Sequence, residues 1–340
     1  MSSLPKSRPL LVREGARYTC FGDGLCCTDI HALGPVTRKE KAEVELLEPG
    51  ALVRHKDLGQ PVFKVDEDTH ACVLRSTRGC ELHARHGAEA KPAGCIRFPY
   101  GLIATPEGGR ITTEHRCPCR TLGARPPLSV DDALGSLVDS IGRLSPNGRV
   151  GPRVQIADGK TLAFARYRAV EAQMIGTLLL GADPLQVFDV KPFGKLEDVK
   201  WKKIVPELKE DRDGSAYGEA LMWFGEALVA LLDDDKLKLG ERPWQASFDR
   251  AEARSPIVES YQAVLNDWLA DLLWSMDWVF STRSFHAGRR ELATLYCIAL
   301  TITKRLIRAK VRGDRAAAEA ITIVELARQS GAWEKVQLAL

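Results

Sequence analysis

The sequence predicts an α+β protein, with a small loop-rich cysteine-cluster domain over residues 1–125 followed by a mainly α-helical domain, a bundle, over residues 126–340. Three observations predict it. Eight of the nine cysteines and six of the seven histidines lie between Cys20 and Cys119. The same stretch holds short extended segments broken by glycine and proline, whereas the chain beyond Arg125-Pro126-Pro127 carries long apolar stripes at helical spacing.

Taken in order, residues 1–14 read as a tail or an edge strand. Thr37 followed by Glu40 is a capping-box pattern, and it opens a helix through Val44, Leu46 and Leu47 that Pro49-Gly50 stops. Short strands are expected at Pro61–Val65, Ala71–Leu74, Gly101–Thr105 and Arg110–Thr113, the last two joined as a hairpin by Pro106-Glu-Gly-Gly109. Ser129 with Asp132 caps a helix expected to run to about Leu144, followed by a polar turn over Ser145–Arg153 and a long helix from about Lys160 to Leu180. The stretch Leu185–Val205 has no clear pattern. Tyr217, Leu221, Phe224, Leu228 and Leu231 share one helical face, and Asp233–Pro243 is the loop after it. A second face carries Val258, Tyr261, Leu265, Trp268, Leu272 and Met276, and a third Leu292, Leu295, Ile298, Ile302 and Leu306. A last helix is expected over about Asp314–Gln329. These stripes are read as packed core.

The cysteines are too concentrated to be scattered small hydrophobes. Disulfides and thiolate–metal bonds are the two ways to gather them, and compartment decides between them. Met1–Tyr18 lacks a continuous apolar segment ahead of a small-residue cleavage site, so a reducing, cytoplasmic setting and a metal are expected. The candidate ligands are Cys20, Cys26, Cys27, Cys72, Cys80, Cys95, Cys117 and Cys119. Soft thiolates exclude calcium and magnesium and leave zinc, copper(I) or an iron-sulfur cluster. The spacings are dispersed, with no plain two-residue knuckle, so several loops must converge, as for an iron-sulfur cluster (4Fe-4S), for zinc, or for one of each. Gly22 and Gly24 give the first loop freedom to wrap, and the adjacent pair Cys26-Cys27 implies either a turn or two sites sharing this loop.

Cys20-x2-Asp23-x2-Cys26-Cys27 resembles the C-x2-C-x2-C-C signature of the YkgJ-type cysteine-cluster family, described as zinc- or iron-chelating. Cys72 to Cys80, Lys91-Pro92-Ala-Gly-Cys95-Ile-Arg97-Phe98-Pro99 and Cys117-Pro118 resemble its later elements in the same order. Two positions depart from the pattern: Asp23 stands where that family has a cysteine, and His83 where a tyrosine is common. Asp23 as a carboxylate ligand, or Cys119 as a replacement sulfur, would complete the set. His83 and His86 read either as ligands or as solvent-facing residues of a short helix; His31, His70 and His115 read as surface or hydrogen-bonding residues. Phe98-Pro99-Tyr100 reads as a packed aromatic turn, and Cys297 as a buried small residue.

The helical half resembles flagellin lysine-N-methylases through the aromatic helix from Glu259-Ser-Tyr261 to Trp278-Val-Phe280 and the helix Tyr296–Leu306. That resemblance implies S-adenosylmethionine, methyl transfer to a protein lysine and an iron-sulfur cluster. No catalytic residue is assigned, because no glycine-rich nucleotide loop, P-loop or nucleophile elbow is present. A net charge of +3 carries no nucleic-acid signal, and no apolar run reaches the length of a membrane span. A protein substrate is the partner that the resemblance suggests. A helical interaction module with a structural zinc is the remaining expectation.

Overall fold

A computed structural model of the chain describes residues 8–339 except 32, 56–58, 78, 124, 140, 193–200, 211–213, 233–239, 256–257 and 283. The fold is α+β, as the sequence predicts. Residues 1–7 of the expected N-terminal tail, 233–239 of the loop Asp233–Pro243, and 193–200 of the unassigned stretch lie outside the described residues.

Leu10–Val12 pairs in parallel with Gly108–Thr113, which pairs antiparallel with Tyr100–Thr105, which in turn pairs in parallel with Gly148–Arg149. This makes a four-stranded sheet with the N-terminal strand at one edge. The central hairpin turns on Pro106-Glu107 alone, so Gly108 and Gly109 join the strand rather than the turn. Gly108 is needed there for close approach: a β-carbon on it would sit 2.3 Å from the Pro9 carbonyl oxygen, beside the bond from Gly109 N–H to that oxygen. Gly148–Arg149 lies in what reads in sequence as a polar turn; two residues are too few to show a period.

The capping box forms as expected. Glu40 N–H donates to Thr37 Oγ1 and Thr37 N–H to Glu40 Oε2, opening the helix Arg38–Leu47. Only Val44 of its apolar residues is buried, and Leu46 is 81% exposed. Three expectations need correction. Ala71–Leu74 forms only isolated bridges, Ala71 to Thr28 and Cys72 to Val65. The helix capped by Ser129 ends at Leu134, just before Gly135, and does not reach Leu144. The long helix begins at Phe164, because Lys160–Ala163 instead forms a hairpin with Arg153–Ala157.

The helical half follows its stripes more closely. Leu221, Phe224 and Leu228 on the helix Ala216–Leu232 are buried. So are Leu265, Trp268 and Leu272 on Tyr261–Ser275, and all five predicted residues on Phe285–Arg308. Val258 lies ahead of its helix, which Ser260 caps, and is exposed. The helix Gly313–Arg328 is buried along most of its length, and a further helix, Gly331–Ala339, follows it. Cys297 is half-buried rather than buried.

Indole N–H groups in this core find buried acceptors. Trp268 donates to Glu325 at 2.6 Å, Trp333 to Glu291 at 3.0 Å and Trp244 to Glu319 at 2.9 Å. At these three positions large aromatic area is buried without orphaning the indole N–H, whereas the buried Trp278 indole nitrogen has no partner among the described residues. Leu25, Ile30, Ile103 and Leu122 from the cysteine-rich third belong to the same apolar cluster as these helices.

The two halves also meet through charge. Asp267 and Asp271, one turn apart on the helix Tyr261–Ser275, receive Arg13 from just after the edge strand and Arg120 from just after Cys119. His115 adds a 2.7 Å contact to Asp271. Burial alone would raise the Asp271 carboxyl, but Arg120 and Arg13 outweigh it and hold that group well below the usual carboxylate range. Arg110 makes a two-pronged pair with Glu171, both bonds at 2.8 Å and both side chains fully buried.

Asp271→Ala leaves Arg13, Arg120 and His115 short of an acceptor in a buried setting, and is expected to cost about 3–5 kcal/mol in urea unfolding. The stabilisation from Asp271 is present above the unfolded carboxylate value of about pH 4 and is lost as pH falls toward the depressed folded value. The variant should therefore show a shallower loss of stability below about pH 4 than the parent; an equally steep loss would remove Asp271 from this role.

Candidate metal centre

The first cysteine loop wraps because its backbone enters the left-handed region. Gly24 has φ +79°, and a β-carbon there would sit 2.6 Å from the Arg75 guanidinium. The chain then makes the single turn Leu25–Cys27. Asp23 Oδ1 accepts from Leu25 N–H at 2.8 Å, which leaves Oδ2 to face the sulfurs. Cys119 Sγ donates to that Oδ2 over 2.6 Å, and Phe21 N–H donates to Cys119 Sγ at 3.2 Å. Asp23, Cys117 and Cys119 are all buried, and one ligand atom from each falls within 4.8 Å of the others.

Cys117 and Cys119 arrive from the short helix that Pro118 opens after the central hairpin, so Arg120, bound to Asp267 and Asp271, fixes their approach. Cys20 is exposed and hydrogen-bonds with Cys119, which is the main reason its thiol is pushed far up. A hydrogen bond with Cys117 first, and burial after it, also raise the Cys119 thiol. The Cys117 thiol is raised as well: a hydrogen bond with Cys119 opposes the shift, while burial and the nearby Asp23 drive it.

Cys26 and Cys27 lie in the turn Leu25–Cys27 itself, with their sulfurs 3.9 Å apart. The hydrogen bond with Cys26 lowers the Cys27 thiol to about 7, and Lys91 and Arg75 add to that against the effect of burial. Cys72 is pushed up to about 12 and Cys95 to about 11, mainly by burial. All nine cysteines are free thiols.

Sequence reasoning missed the cations around this loop. Arg250 and Arg75 donate to the Asp23 carbonyl at 2.8 and 3.4 Å, and Arg254 donates to the Phe21 carbonyl. Arg125 stacks on the Phe21 ring at 3.9 Å and donates through Nε to the Cys119 carbonyl at 3.0 Å. Its two terminal nitrogens are buried and make no hydrogen bond. A cation buried beside thiols and a carboxylate suits an anionic centre. Arg250 and Arg254 come from the helix Gln245–Ala253 and its C-terminus, 227 or more residues along the chain from their acceptors. No local sequence signal could have revealed them.

The histidines are not part of the thiol group. His83 is exposed, and His86 contacts Glu48 at 3.3 Å, which agrees with the solvent-facing reading of that helix. His70 pairs with Asp29 at 2.8 Å, and Asp29 in turn accepts from the N–H of Ala216. His31, expected at the surface or in a hydrogen bond, is buried with neither ring nitrogen partnered, its ring tilted against Phe98 at 5.0 Å. Tyr100 packs edge-on to Tyr18, so Phe98-Pro99-Tyr100 is the packed turn expected.

The donor set fits a thiophilic metal. Thiols and a carboxylate this close cannot all be ionised together in a buried site unless a cation joins them, and a bound metal would replace the protons they now share. In the helical half, Trp278 is buried and Phe280 is half-exposed, its ring against Gly148. No helix among the described residues is long and apolar enough to cross a membrane. Comparison of the chain with protein-family models, with curated proteins and with solved structures finds no match.

Two measurements check this geometry. In chelator-treated protein at pH 7.5, iodoacetamide is expected to modify Cys27 ahead of Cys117 and Cys119, because its thiol is lowered while theirs are raised and buried; the reverse order in peptide mapping would contradict the placement. Burial, with Arg116 adding to it, holds His31 well below its ordinary value, so its contribution to stability is full above about pH 6.5 and falls as the unfolded chain takes up a proton below that. His31→Leu is expected to flatten the stability profile between about pH 6.5 and 5.

Proposed function

We propose that the chain is a metal-binding protein in which Asp23, Cys117 and Cys119, completed by Cys20 or Cys26, hold a thiophilic metal. The observation that carries this reading is the convergence of a buried carboxylate and two buried thiols within 4.8 Å. Cys20 is in hydrogen-bond contact with Cys119, and Cys26 lies near enough to Asp23 and Cys20 to feel their charge. The order of cysteine motifs, with its resemblance to the YkgJ-type cluster, supports the same reading.

The spacing favours a single ion of the zinc class. Four ligands at about 2.3 Å around a tetrahedral ion lie about 3.8 Å from one another, and the donor atoms of Asp23, Cys117 and Cys119 all fall within 4.8 Å of each other. A four-iron cluster puts each thiolate on a separate iron and spreads the sulfurs farther apart. Asp23 also suits zinc, which takes carboxylate as well as thiolate ligands. Because Cys20 is exposed while Asp23, Cys117 and Cys119 are buried, the centre has one solvent-facing side.

The test is zinc, iron and acid-labile sulfide content on protein purified without oxygen. Zinc with little iron or sulfide is expected, and Asp23→Ala and Cys119→Ser should each lower bound zinc several-fold. Iron with matching sulfide would replace the single ion by a cluster. Protein free of both metals would remove the proposal.

A further inference from the structure

Arg13, Arg110, Arg120 and Arg315 each cross the fold to meet a carboxylate. Four other arginines gather around residues 21–23 instead, and their side chains donate to neutral acceptors. Arg75 and Arg250 reach the Asp23 carbonyl, Arg254 the Phe21 carbonyl and Arg125 the Cys119 carbonyl, while a second Arg250 nitrogen donates to Ser247 Oγ at 2.8 Å. The carboxylates of the helix that carries Arg250 are engaged with other cations: Asp249 and Glu252 pair with Arg315 at 2.6 Å, and Glu252 also with Arg312 at 3.3 Å.

A lone arginine on backbone carbonyls is an ordinary way to hold a loop, and Arg97, on the carbonyls of Tyr100 and Ser145, is such a case. The group at residues 21–23 is different. Arg75 and Arg250 donate to one and the same oxygen, at 3.4 and 2.8 Å, so two positive groups are held side by side. Like charges this close repel unless an anion lies with them. Gly24 makes room for the arrangement, because a β-carbon there would sit 2.6 Å from the Arg75 guanidinium. A guanidinium has five N–H groups, and the side-chain bonds among the described residues use one nitrogen of Arg75, two of Arg250 and one of Arg254. Arg250 and Arg254 are exposed and Arg75 is half-buried, so donors remain for a ligand. Arg125 has its terminal nitrogens buried and adds charge without contact.

We propose that Arg75, Arg250 and Arg254 bind a phosphate dianion, free or as a monoester, over residues 21–23 beside the exposed Cys20. Charge selects the dianion. A divalent ion held by Asp23 and three thiolates carries two negative charges, and four guanidinium groups carry four positive ones, which leaves two unmatched. With no metal bound and the thiols protonated the surplus is larger, so the site stands whether the metal centre is filled or empty. Guanidinium forks also match the paired oxygens of a phosphate. A phosphate seated there adjoins the backbone of Asp23, and the metal centre would therefore meet molecules that carry a phosphoryl group.

The experiment is calorimetric titration of the full chain at pH 8 and fixed ionic strength, with inorganic phosphate and, separately, with O-phosphoserine. One equivalent is expected to bind, and acetate, with a single charge, to bind more weakly. Arg250→Gln combined with Arg254→Gln should weaken phosphate about tenfold or more, because charge-assisted hydrogen bonds are lost. Arg153→Gln, on an exposed hairpin arginine outside this group, should leave binding unchanged. Tighter binding of O-phosphoserine than of phosphate would support the site with a phosphomonoester as its ligand, and the reverse would support it with free phosphate. No saturable binding of either, acetate bound as tightly as phosphate, or equal affinity in the double variant and the parent would overturn the proposal. If the double variant fails to fold, Arg254→Gln alone decides, since that side chain is exposed: a several-fold loss supports the site and an unchanged affinity overturns it.

Discussion

Two carboxylates one turn apart on a single helix, Asp267 and Asp271, organise the contact between the sheet and the helices. Arg13 and Arg120 converge on both carboxylates, and His115 and Thr113 complete Asp271. Ion pairs this buried gain little over apolar packing of the same shape, since desolvation of the charges offsets most of their attraction. Their effect lies in specificity: a displaced partner leaves a buried charge unmatched, so alternative packings of strand on helix are penalised. Arg120 adjoins Cys119, and the register of the charge cluster therefore sets where the Cys117–Cys119 pair can reach.

The thiol centre depends on that placement. Asp23 is oriented by its own loop, through Leu25 N–H, but Cys117 and Cys119 are delivered from the opposite side by the hairpin and the helix beneath it. Arginines from the helix Gln245–Ala253 and its C-terminus then hold the loop's carbonyls. A centre assembled this way draws its geometry from both halves of the chain. Cys72, Cys80 and Cys95 instead pack against a small apolar cluster of six buried side chains, Val36, Val44, Ala51, Phe63, Leu74 and Leu82.

Asp23 sets a carboxylate among the thiols of this group. A carboxylate is a harder donor than a thiolate, and in this position it shares a proton with Cys119. It brings negative charge without adding a further oxidisable sulfur. The surrounding guanidinium groups act in the same direction, since they favour the anionic state of the loop.

The sequence by itself determined the fold class, the capping box at Thr37, the core faces of the main helices and the concentration of candidate ligands between Cys20 and Cys119, because each is written in local period or composition. Its errors fell where local signals are short. The helix after Ser129 stops early at glycine, and Gly148–Arg149 is a strand only because Ile103 and Ala104 are there to pair with it. Only the tertiary structure decided the company each cysteine keeps. Neighbouring thiols such as Cys26 and Cys27 are indistinguishable in sequence, and which partners each meets depends on where residues 45 to 93 positions away are carried by folding. The buried arginines and the unpartnered His31 belong to the same class, since long-range electrostatics and burial leave no local pattern to read.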